Sequence, residues 1–348
     1  MTRILQPGSG PIRSSTYLPA DPASVLWGRL PCAADSPVLT IASGTEVTID
    51  TISHEGILED QGRDPRAFFA QFGVSDVLDD AIELAASSYD RGEGGPHVVT
   101  GPIHVEGARP GDLLKMTVIE TAQRVPYGVV SNRHGRGALP GEYPPSHDTV
   151  SVFAASDGEF GSMPTSPRPV RFALNPFLGI MGVAVAGNER PHSVPPGAHG
   201  GNIDINLMTV GSSLFLPVQV DGALAYVGDP HFAQGDGEVA LTAMEASLRA
   251  TIGFEVVPHE QAVEQFGELA GPLAETSDFL VPTGMNPDLD VAMQDCVRAA
   301  IALLQARWGM DAKHAYAYLS AATDFNISQV VDIVKGVHAR VRKSDFEF

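Results

Sequence analysis

Cysteine is almost absent from this sequence, since only Cys32 and Cys296 occur among 348 residues. They lie far apart and neither belongs to a CxxC pair, so neither a disulfide framework nor a thiolate zinc site is supported. No apolar run approaches the ~18 residues that cross a membrane. The N-terminal segment "MTRILQPGSGPIRSS" also lacks a secretory apolar core. We therefore expect a soluble, cytoplasmic protein.

Basic residues are scarce as well, because 22 Lys and Arg stand against 42 Asp and Glu and leave a net charge of −20. An electrostatic field of that sign repels phosphate backbones and anionic lipids. We therefore expect no nucleic acid and no membrane surface among the partners. A neutral or cationic small molecule is compatible with this charge.

Glycine and proline are plentiful, with 36 and 27 residues, which favours many turns and a β-rich fold. Apolar and polar residues alternate through 244–256, and because a helix would scatter the apolar ones we predict a strand there. "LFLPVQV" and "ALAYV" are separated by Asp221-Gly222, a turn dipeptide that predicts a hairpin. Residues 124–170 are rich in Gly, Pro and Ser and are predicted to form long loops.

Helix signals are fewer and lie mainly in the C-terminal part. Periodicity does not decide between strand and helix for 327–341. One helix is predicted to begin at Asp64-Pro65 and to be interrupted near Gly73. A second is predicted to begin at Asn286-Pro287 and to end at Gly309, and a third to begin at Asp311.

These patterns predict an α+β fold that is mostly β, with a β-sandwich or barrel-like body and an α/β C-terminal part. A chain of 348 residues is too long for one small core. We predict an N-terminal β domain over 1–170 with a helical insertion near 64–86. A second β domain over 171–256 carries the motifs described next, and an α/β domain over 257–348 completes the chain.

Candidate metal ligands are concentrated on both sides of the predicted hairpin. Asp229 and His231 are two residues apart, so in an extended strand both side chains project to one side, with Cα atoms about 7 Å apart. Imidazole and carboxylate together are ligands for Zn²⁺ and related divalent ions. The alternative is that these residues fill turns and make single structural hydrogen bonds. The two groups are His199, Asn202 and Asp204, then Asp229, His231, Asp236 and Glu238.

Four segments resemble the acetamidase/formamidase family, and the resemblance runs from about residue 40 to the C-terminus. They are "GPIHVEGARPGD" (101–112), "NPFLGIMGVA" (175–184), "HGGNIDI" (199–205) and "GSSLFLPVQVDGALAYVGDPHFAQGDGEV" (211–239). The resemblance implies hydrolysis of a short aliphatic amide to its acid and ammonia, on a β-rich fold with a divalent metal. It further implies a homo-oligomer, with a dimer favoured.

Roles are expected for individual residues, by the resemblance for those in the matching motifs and by residue type for His54, which is either a pocket ligand or a strand-end hydrogen-bond donor. Glu238 is the expected general base, with Asp236 as the second choice. The metal, most simply zinc with calcium as the alternative, is expected on some of Asp204, Asp229 and His231, with His199 or His54 as a further candidate ligand. The expected substrate-binding residues are Gly201, Asn202, Gln234 and His54.

Two segments depart from the family pattern and leave the identity of the amide open. The segment 51–73 contains His54, Glu55 and an inserted helix, and 131–145 follows the family's Gly-rich loop only loosely. Both are expected near the mouth of the pocket. A non-catalytic protein that binds a small amide or cation in the same pocket is the competing hypothesis, and release of ammonia from short amides separates the two.

Other amide-cleaving mechanisms fit the sequence poorly. No GxSxG nucleophile elbow occurs, and a nitrilase-type mechanism would have to use Cys32 or Cys296, neither of which has a motif-like context. Water activated by a metal or a carboxylate is the chemistry that remains.

Overall fold

The structure is a computed structural model that describes residues 4–346. The strands are β1 Tyr17–Leu18, β2 Val25–Trp27, β3 Leu39–Ala42, β4 Thr45–Asp50, β5 Val98–Glu106, β6 Leu113–Gln123, β7 Tyr127–Arg133, β8 Thr149–Ser156, β9 Phe160–Met163, β10 Val170–Ala173, β11 Phe177–Gly182, β12 Gly200–Asn202, β13 Ser213–Pro217, β14 Ala225–Ala233, β15 Met244–Glu245, β16 Leu248–Val257, β17 Leu273–Glu275, β18 Phe279–Asn286, β19 Asp324–Gln329 and β20 Lys335–Arg342. The α-helices are α1 Pro65–Ala70, α2 Asp79–Ala86, α3 His259–Phe266, α4 Leu289–Trp308 and α5 Ala312–Ala322. Short 3₁₀ helices span Glu59–Gln61 and Lys343–Phe346.

The strands form two large sheets. A nine-stranded sheet has the order β1-β4-β16-β6-β13-β17-β18-β20-β19. The second sheet has eleven strands, of which eight follow the order β10-β9-β8-β7-β15-β14-β11-β12. The other three form a branch, in which β5 pairs with β14, and β2 and β3 both pair with β5. One hydrophobic cluster contains side chains from both sheets, for example Met116 and Phe254 from the first and Phe177 and Val227 from the second. The prediction of a mostly β, α+β fold is confirmed.

The C-terminal helices have a hydrophobic cluster of their own. Leu303 and Leu304 of α4 pack with Phe266 of α3 and Leu319 of α5 against strands of the nine-stranded sheet. Both sheets take strands from more than one of the three predicted domain ranges, and the division at 170 and 256 stays a prediction. None of the helices within residues 4–346 is long and apolar enough to cross a membrane. The cytoplasmic location and the homo-oligomer stay predictions as well.

The predicted hairpin across Asp221-Gly222 is wrong. β13 pairs with β6 and β17 in the nine-stranded sheet, whereas β14 pairs with β5, β11 and β15 in the eleven-stranded sheet. The connection therefore crosses from one sheet to the other, and Ala223 and Leu224 take left-handed backbone angles with φ of 57° and 51°. Both runs are almost wholly buried, so their apolar pattern does not reveal which neighbour each one pairs with.

The predicted strand over 244–256 is confirmed but is divided after Glu245. β15 belongs to the eleven-stranded sheet and β16 to the nine-stranded sheet, and the chain passes between them at Ala246-Ser247. Alternation continues through the crossing because both sheets bury apolar side chains in the same core. Glu245 is thereby placed next to β14 instead of on a solvated face.

Other local predictions have mixed outcomes. The long loop predicted over 124–170 is largely wrong, because β7 to β10 form one end of the eleven-stranded sheet there. Strands β8 and β10 are mostly half-buried or exposed, which leaves them little of the apolar pattern that marks a strand. The ambiguous segment 327–341 forms part of β19, a turn and β20.

The helix starts are predicted correctly at two of three places. Asp64 caps α1 and Asp311 caps α5, each through its own carboxylate. Helix α4 ends at Gly309 as predicted, but its N-cap is Asp288 and not Asn286. Asn286 still belongs to β18, so it is not free to begin the helix.

Candidate active site

Strand β14 places the two motif residues Asp229 and His231 together. His231 Nε2 lies 3.0 Å from Asp229 Oδ2, and both side chains are buried. Asp229 has a φ of 50°, in the left-handed region that Asp tolerates better than most residues. Asp204 and Glu238 also have positive φ values, of 46° and 47°. Unusual backbone angles therefore coincide with the acidic residues of both motifs, as is common at functional sites.

Three further side chains meet Asp229 and His231. Glu245 on β15 lies directly opposite His231 in the sheet, and its Oε1 is 3.1 Å from His231 Nε2. His54 Nδ1 is 3.6 Å from Asp229 Oδ1, and His97 Nε2 is 3.9 Å from the same oxygen. All five side chains are buried. We call His54, His97, Asp229, His231 and Glu245 the imidazole–carboxylate cluster.

Each imidazole of the cluster has a separate neighbour at its outer nitrogen. His54 Nε2 faces Glu55 Oε1 at 3.4 Å, and His97 Nδ1 lies 3.1 Å from Ser193 Oγ. His231 Nδ1 faces Asp204 Oδ1 at 3.9 Å. Of the three contacts, only that of His97 with Ser193 is a hydrogen bond, the kind of partner that sets the tautomer and ring orientation of a metal-binding histidine.

Several inward-facing atoms of the cluster are buried without a hydrogen-bond partner. Among the described side chains these include His54 Nδ1, His231 Nε2, Asp229 Oδ1 and Glu245 Oε2. An unsatisfied buried polar atom costs free energy, and an uncompensated buried charge costs far more. Nitrogen and oxygen donors in this mixture fit a zinc-like ion, whereas calcium takes oxygen ligands. The residues present therefore fit a divalent transition-type metal.

The pKa values show how strongly the charges of the cluster interact. Burial opposes the charge on His54, yet the carboxylates of Glu245, Asp229 and Glu55 raise its pKa to about 10. Burial likewise works against ionisation of Asp229, but His97 and His231 hold its pKa well below the usual range. Burial lowers the pKa of His97 to about 4. The carboxylates thus require positive charge beside them, which either protons or a metal ion would supply.

A cavity of about 440 Å³ opens onto the cluster. His54, His97, Asp229 and Glu245 line its floor, and Asn202, Glu238 and Asp332 also line it. Burial, and then the nearby Asp204 carboxylate, raise the pKa of Glu238 well above its usual range. Burial and Glu238 do the same to the pKa of Asp332. The cavity thus combines a potential metal site with carboxyl groups that keep their protons to a higher pH than exposed carboxyl groups do.

Comparison with known proteins agrees with the motifs. The sequence model of the acetamidase/formamidase family matches residues 75–189 and 184–342, which together cover well over half of the chain. The chain belongs to the acetamidase/formamidase family.

Relatives within the family are distant in sequence. The acetamidase of Mycolicibacterium smegmatis is 31% identical over 199 residues, which is 41% of this chain and 49% of that protein. The match thus spans about half the length of that relative. The formamidase of Methylophilus methylotrophus is 26% identical over 303 residues, covering 68% of this chain and 74% of that protein. The crystal structure of an acetamidase from Bacillus halodurans superposes with a TM-score of 0.75 at 25% identity, over 95% of this chain and 98% of that one.

Some of the site residues predicted from the sequence line the cavity, and others do not. Asn202, Glu238 and His54 line it, and Asp204 lies beside His231. Gln234 instead donates from its side-chain amide to the carbonyl oxygens of Asp204 and Ser328, which holds the backbone of Asp204 in place.

The other predicted residues lie further from the cavity. Asp236 is exposed and accepts hydrogen bonds from Asn206 and Asn326, and it is not among the cavity-lining residues. His199 is buried but lies outside the groups of described side chains whose donor atoms converge. Gly201 pairs with Met181 in the sheet.

Three residues of this site were missed in the sequence: His97, Glu245 and Asp332. The tripeptide Gly95-Pro96-His97 resembles Asp229-Pro230-His231, and this similarity is a signal that could have identified His97. Glu245 is one of several polar residues in an alternating strand. Asp332 belongs to the segment whose secondary structure the sequence left open. Neither of these two carried a usable local signal.

Proposed function

We propose that this member of the family hydrolyses the C–N bond of a short amide, giving a carboxylic acid and ammonia, at the imidazole–carboxylate cluster. The observation that carries the proposal is the position of the cluster. Buried, unpartnered donor atoms belong to His54, Asp229 and Glu245, which line a cavity, and Glu238 lines the same cavity.

The side chains of the cluster, together with Asp204 beside His231, would hold a divalent ion. Their mixture of nitrogen and oxygen donors favours zinc. Such an ion, when bound, would polarise the amide carbonyl and lower the pKa of a water molecule at its open position. Ser193 orients the imidazole of His97 through a hydrogen bond at its outer nitrogen, and the carboxylate of Glu55 faces the outer nitrogen of His54. Loss of these outer contacts typically weakens a metal site about 10- to 100-fold.

Glu238 is the residue that would move the protons. One of its carboxylate oxygens lies within 4.8 Å of donor atoms of Asp204 and His231, and the residue lines the cavity. Amide hydrolysis needs a proton taken from water and a proton delivered to the departing nitrogen, because an amide anion is too poor a leaving group. A carboxylate with a raised pKa performs both transfers in turn.

Both segments that depart from the family pattern line the cavity. Leu58, Glu59 and Asp60 come from the first, and Arg133 and Arg136 from the second. Small-molecule sites span about 300–1,000 Å³, and this cavity of about 440 Å³ is larger than a one- or two-carbon amide requires. We therefore propose that amides longer than acetamide are also accepted.

A cysteine nucleophile does not fit this site. Cys32 and Cys296 are both buried, and neither is among the residues that line the cavity. Burial raises the pKa of the Cys296 thiol to about 12, so that it is protonated at neutral pH. These observations support water as the nucleophile.

The test is a screen for ammonia release from formamide, acetamide, propionamide and butyramide, combined with elemental analysis of the purified protein. We expect stoichiometric divalent metal, activity that a chelator abolishes, and recovery on addition of zinc. Metal removal should also lower Tm, because an ion that binds only the folded state stabilises it. Amide binding without ammonia release would support the non-catalytic alternative, and activity in metal-free protein would exclude the metal-dependent mechanism.

Gly179 on β11 lies directly beneath the cluster, in the segment 175–184 that resembles the family. A Cβ there would lie 2.5 Å from Asp204 Oδ1 and 2.7 Å from Asp229 Oδ2. We therefore expect Gly179→Ala to displace these carboxylates and to lower kcat/KM by about 10²-fold, as misplacements of about 1 Å do. Gly253→Ala on β16 is the control, because its Cβ meets nothing closer than 3.7 Å. Equal activity of the two variants would contradict the proposed position of the reaction.

A further inference from the structure

We infer that the substrate is a primary amide with a bulky, uncharged apolar acyl group, which four side chains of the cavity bind. These side chains are Val194, Leu241, Val331 and Ile333, and we call them the apolar wall. The inference rests on the proposed function, because an amide that releases ammonia carries no carbon on its nitrogen. Any apolar group of the substrate therefore belongs to the acyl side.

The apolar wall is not part of the hydrophobic core. Val194, Leu241 and Val331 are half-buried, yet none of them packs against a hydrophobic cluster within residues 4–346. Ile333 is 56% exposed. Leu58 also lines the cavity, but it is buried in the main cluster. Small-molecule sites are lined predominantly by apolar side chains, so a ligand with an apolar group would cover the surface that the core leaves open.

Two members of the apolar wall have unusual backbone conformations. Leu241 has a φ of 111° and Ile333 has a φ of 67°, values that bulky and β-branched residues rarely adopt. Glycine would adopt either conformation without strain. Strained residues of this kind concentrate at active sites and ligand-binding positions. The large apolar side chains at these two positions therefore serve the cavity, since the turns themselves do not require them.

Hydrogen bonds hold the strained turns in place. The buried Gln329 side chain accepts from the backbone N–H of Val331 at 3.0 Å through Oε1 and donates to the carbonyl oxygen of Val334 at 2.7 Å through Nε2. These bonds fix the turn between β19 and β20. The backbone N–H of Leu241 donates to the carbonyl oxygen of Glu238 at 3.2 Å, so Leu241 lies in the same turn as the proposed base. A wall that is ordered beforehand binds its ligand at a lower entropic cost.

The solvent-accessible charged side chains that line the cavity leave no excess charge for an ionic acyl group. Two ion pairs account for four of them: Arg133 with Asp60, and Arg91 with Glu59. The other two, Arg136 and Glu93, are exposed and opposite in sign. An uncharged acyl group is therefore the one that fits.

The experiment measures kcat/KM of the full chain for acetamide, 4-methylpentanamide and succinamate. The last two have the same arrangement of non-hydrogen atoms, but succinamate ends in a carboxylate where 4-methylpentanamide ends in an isopropyl group. One methylene in an apolar pocket is worth about tenfold or more, so we expect 4-methylpentanamide to exceed acetamide by about 10²-fold or more. We expect it to exceed succinamate as well. A kcat/KM for 4-methylpentanamide no higher than that for acetamide or succinamate would overturn the inference while leaving an active amidase.

Ile333→Asn tests the apolar wall directly, because Asn tolerates a φ of 67° better than Ile and lacks the apolar side chain. We expect the ratio of kcat/KM for 4-methylpentanamide to that for acetamide to fall about tenfold. Val210→Asn is the matched control, since Val210 is 55% exposed and is not among the cavity-lining residues, and it should keep the wild-type ratio. A wild-type ratio in Ile333→Asn would overturn the apolar wall as the acyl site.

Calorimetry distinguishes failure of this inference from failure of the proposed function. If no amide releases ammonia, the proposed function fails, and binding then tests the apolar wall. The Kd of 4-methylpentanamide should be at least about tenfold below that of acetamide in the wild type, and Ile333→Asn should reduce that difference. Equal Kd values in the wild type would overturn the apolar wall as well.

Discussion

Replacing Glu238 by Gln is expected to lower kcat by roughly 10²–10⁴-fold while the protein keeps the metal content of the wild type. Gln has almost the shape of Glu, and the residue is buried with a φ of 47°, so the substitution removes the titrating group and little else. The neutral amide cannot accept a proton from water or deliver one to the departing nitrogen. Because these transfers occur in the chemical step, the loss should appear in kcat more than in KM.

The measurement is steady-state ammonia release at saturating amide, with zinc content determined on the same preparation. Glu93→Gln is the matched control, because Glu93 is an exposed carboxylate at the rim of the same cavity, and it should change kcat by less than about tenfold. Near-normal turnover of Glu238→Gln, with the loss found instead in Asp236→Asn, would transfer the role of base to Asp236.

Replacing Asp229 by Asn is expected to reduce the metal content and to lower kcat/KM by roughly 10³-fold or more. A Lewis-acidic ion contributes several kcal/mol to transition-state stabilisation, and about 1.4 kcal/mol corresponds to tenfold in rate. Asp229 faces all three histidines of the cluster, so its loss affects the whole candidate metal site. Asn tolerates the left-handed φ of 50° as well as Asp does, which keeps the backbone intact.

Zinc content by elemental analysis and activity with and without added zinc test this expectation. Asp221→Asn provides the control, because Asp221 is exposed in the connection between β13 and β14 and lies outside the cluster. Wild-type zinc content in Asp229→Asn would show that this carboxylate is not a ligand. Wild-type activity with the metal lost would show that the reaction does not use the ion.

Local patterns in the sequence predicted the residues of β14 and the segment that follows it. Asp229 and His231 were identified because two residues of separation place side chains on one side of a strand, which is a property of the backbone alone. The same reasoning predicted the strand through Glu245 but placed Glu245 on a polar face. What makes Glu245 a cluster member is its pairing with His231, and strand pairing is not encoded in alternation.

The Asp221-Gly222 turn shows a second limit of local reasoning. A turn dipeptide between two apolar runs indicates that the chain turns there, but not that the two runs pair with each other. Both runs here are buried on both faces, so the apolar pattern of each is compatible with several neighbouring strands. The structure separates them into two sheets, and β14 thereby becomes central and lies against β5, β11 and β15. That central position lies beside three other segments of the chain, those that carry His54, His97 and Glu245.

The sequence by itself determined the family, the mostly β fold, the caps of α1 and α5, and a motif in which Asp229, His231 and Glu238 are close along the chain. These features depend on interactions between residues only a few positions apart. Only the tertiary structure decided that His54, His97 and Glu245 lie beside Asp229 and His231, and that the Asp236 carboxylate is exposed. The reason is that a buried metal site needs donors from several directions, and a single strand supplies only one. The remaining donors come from segments that are distant in sequence, and only the packing of the strands brings them within a few ångströms.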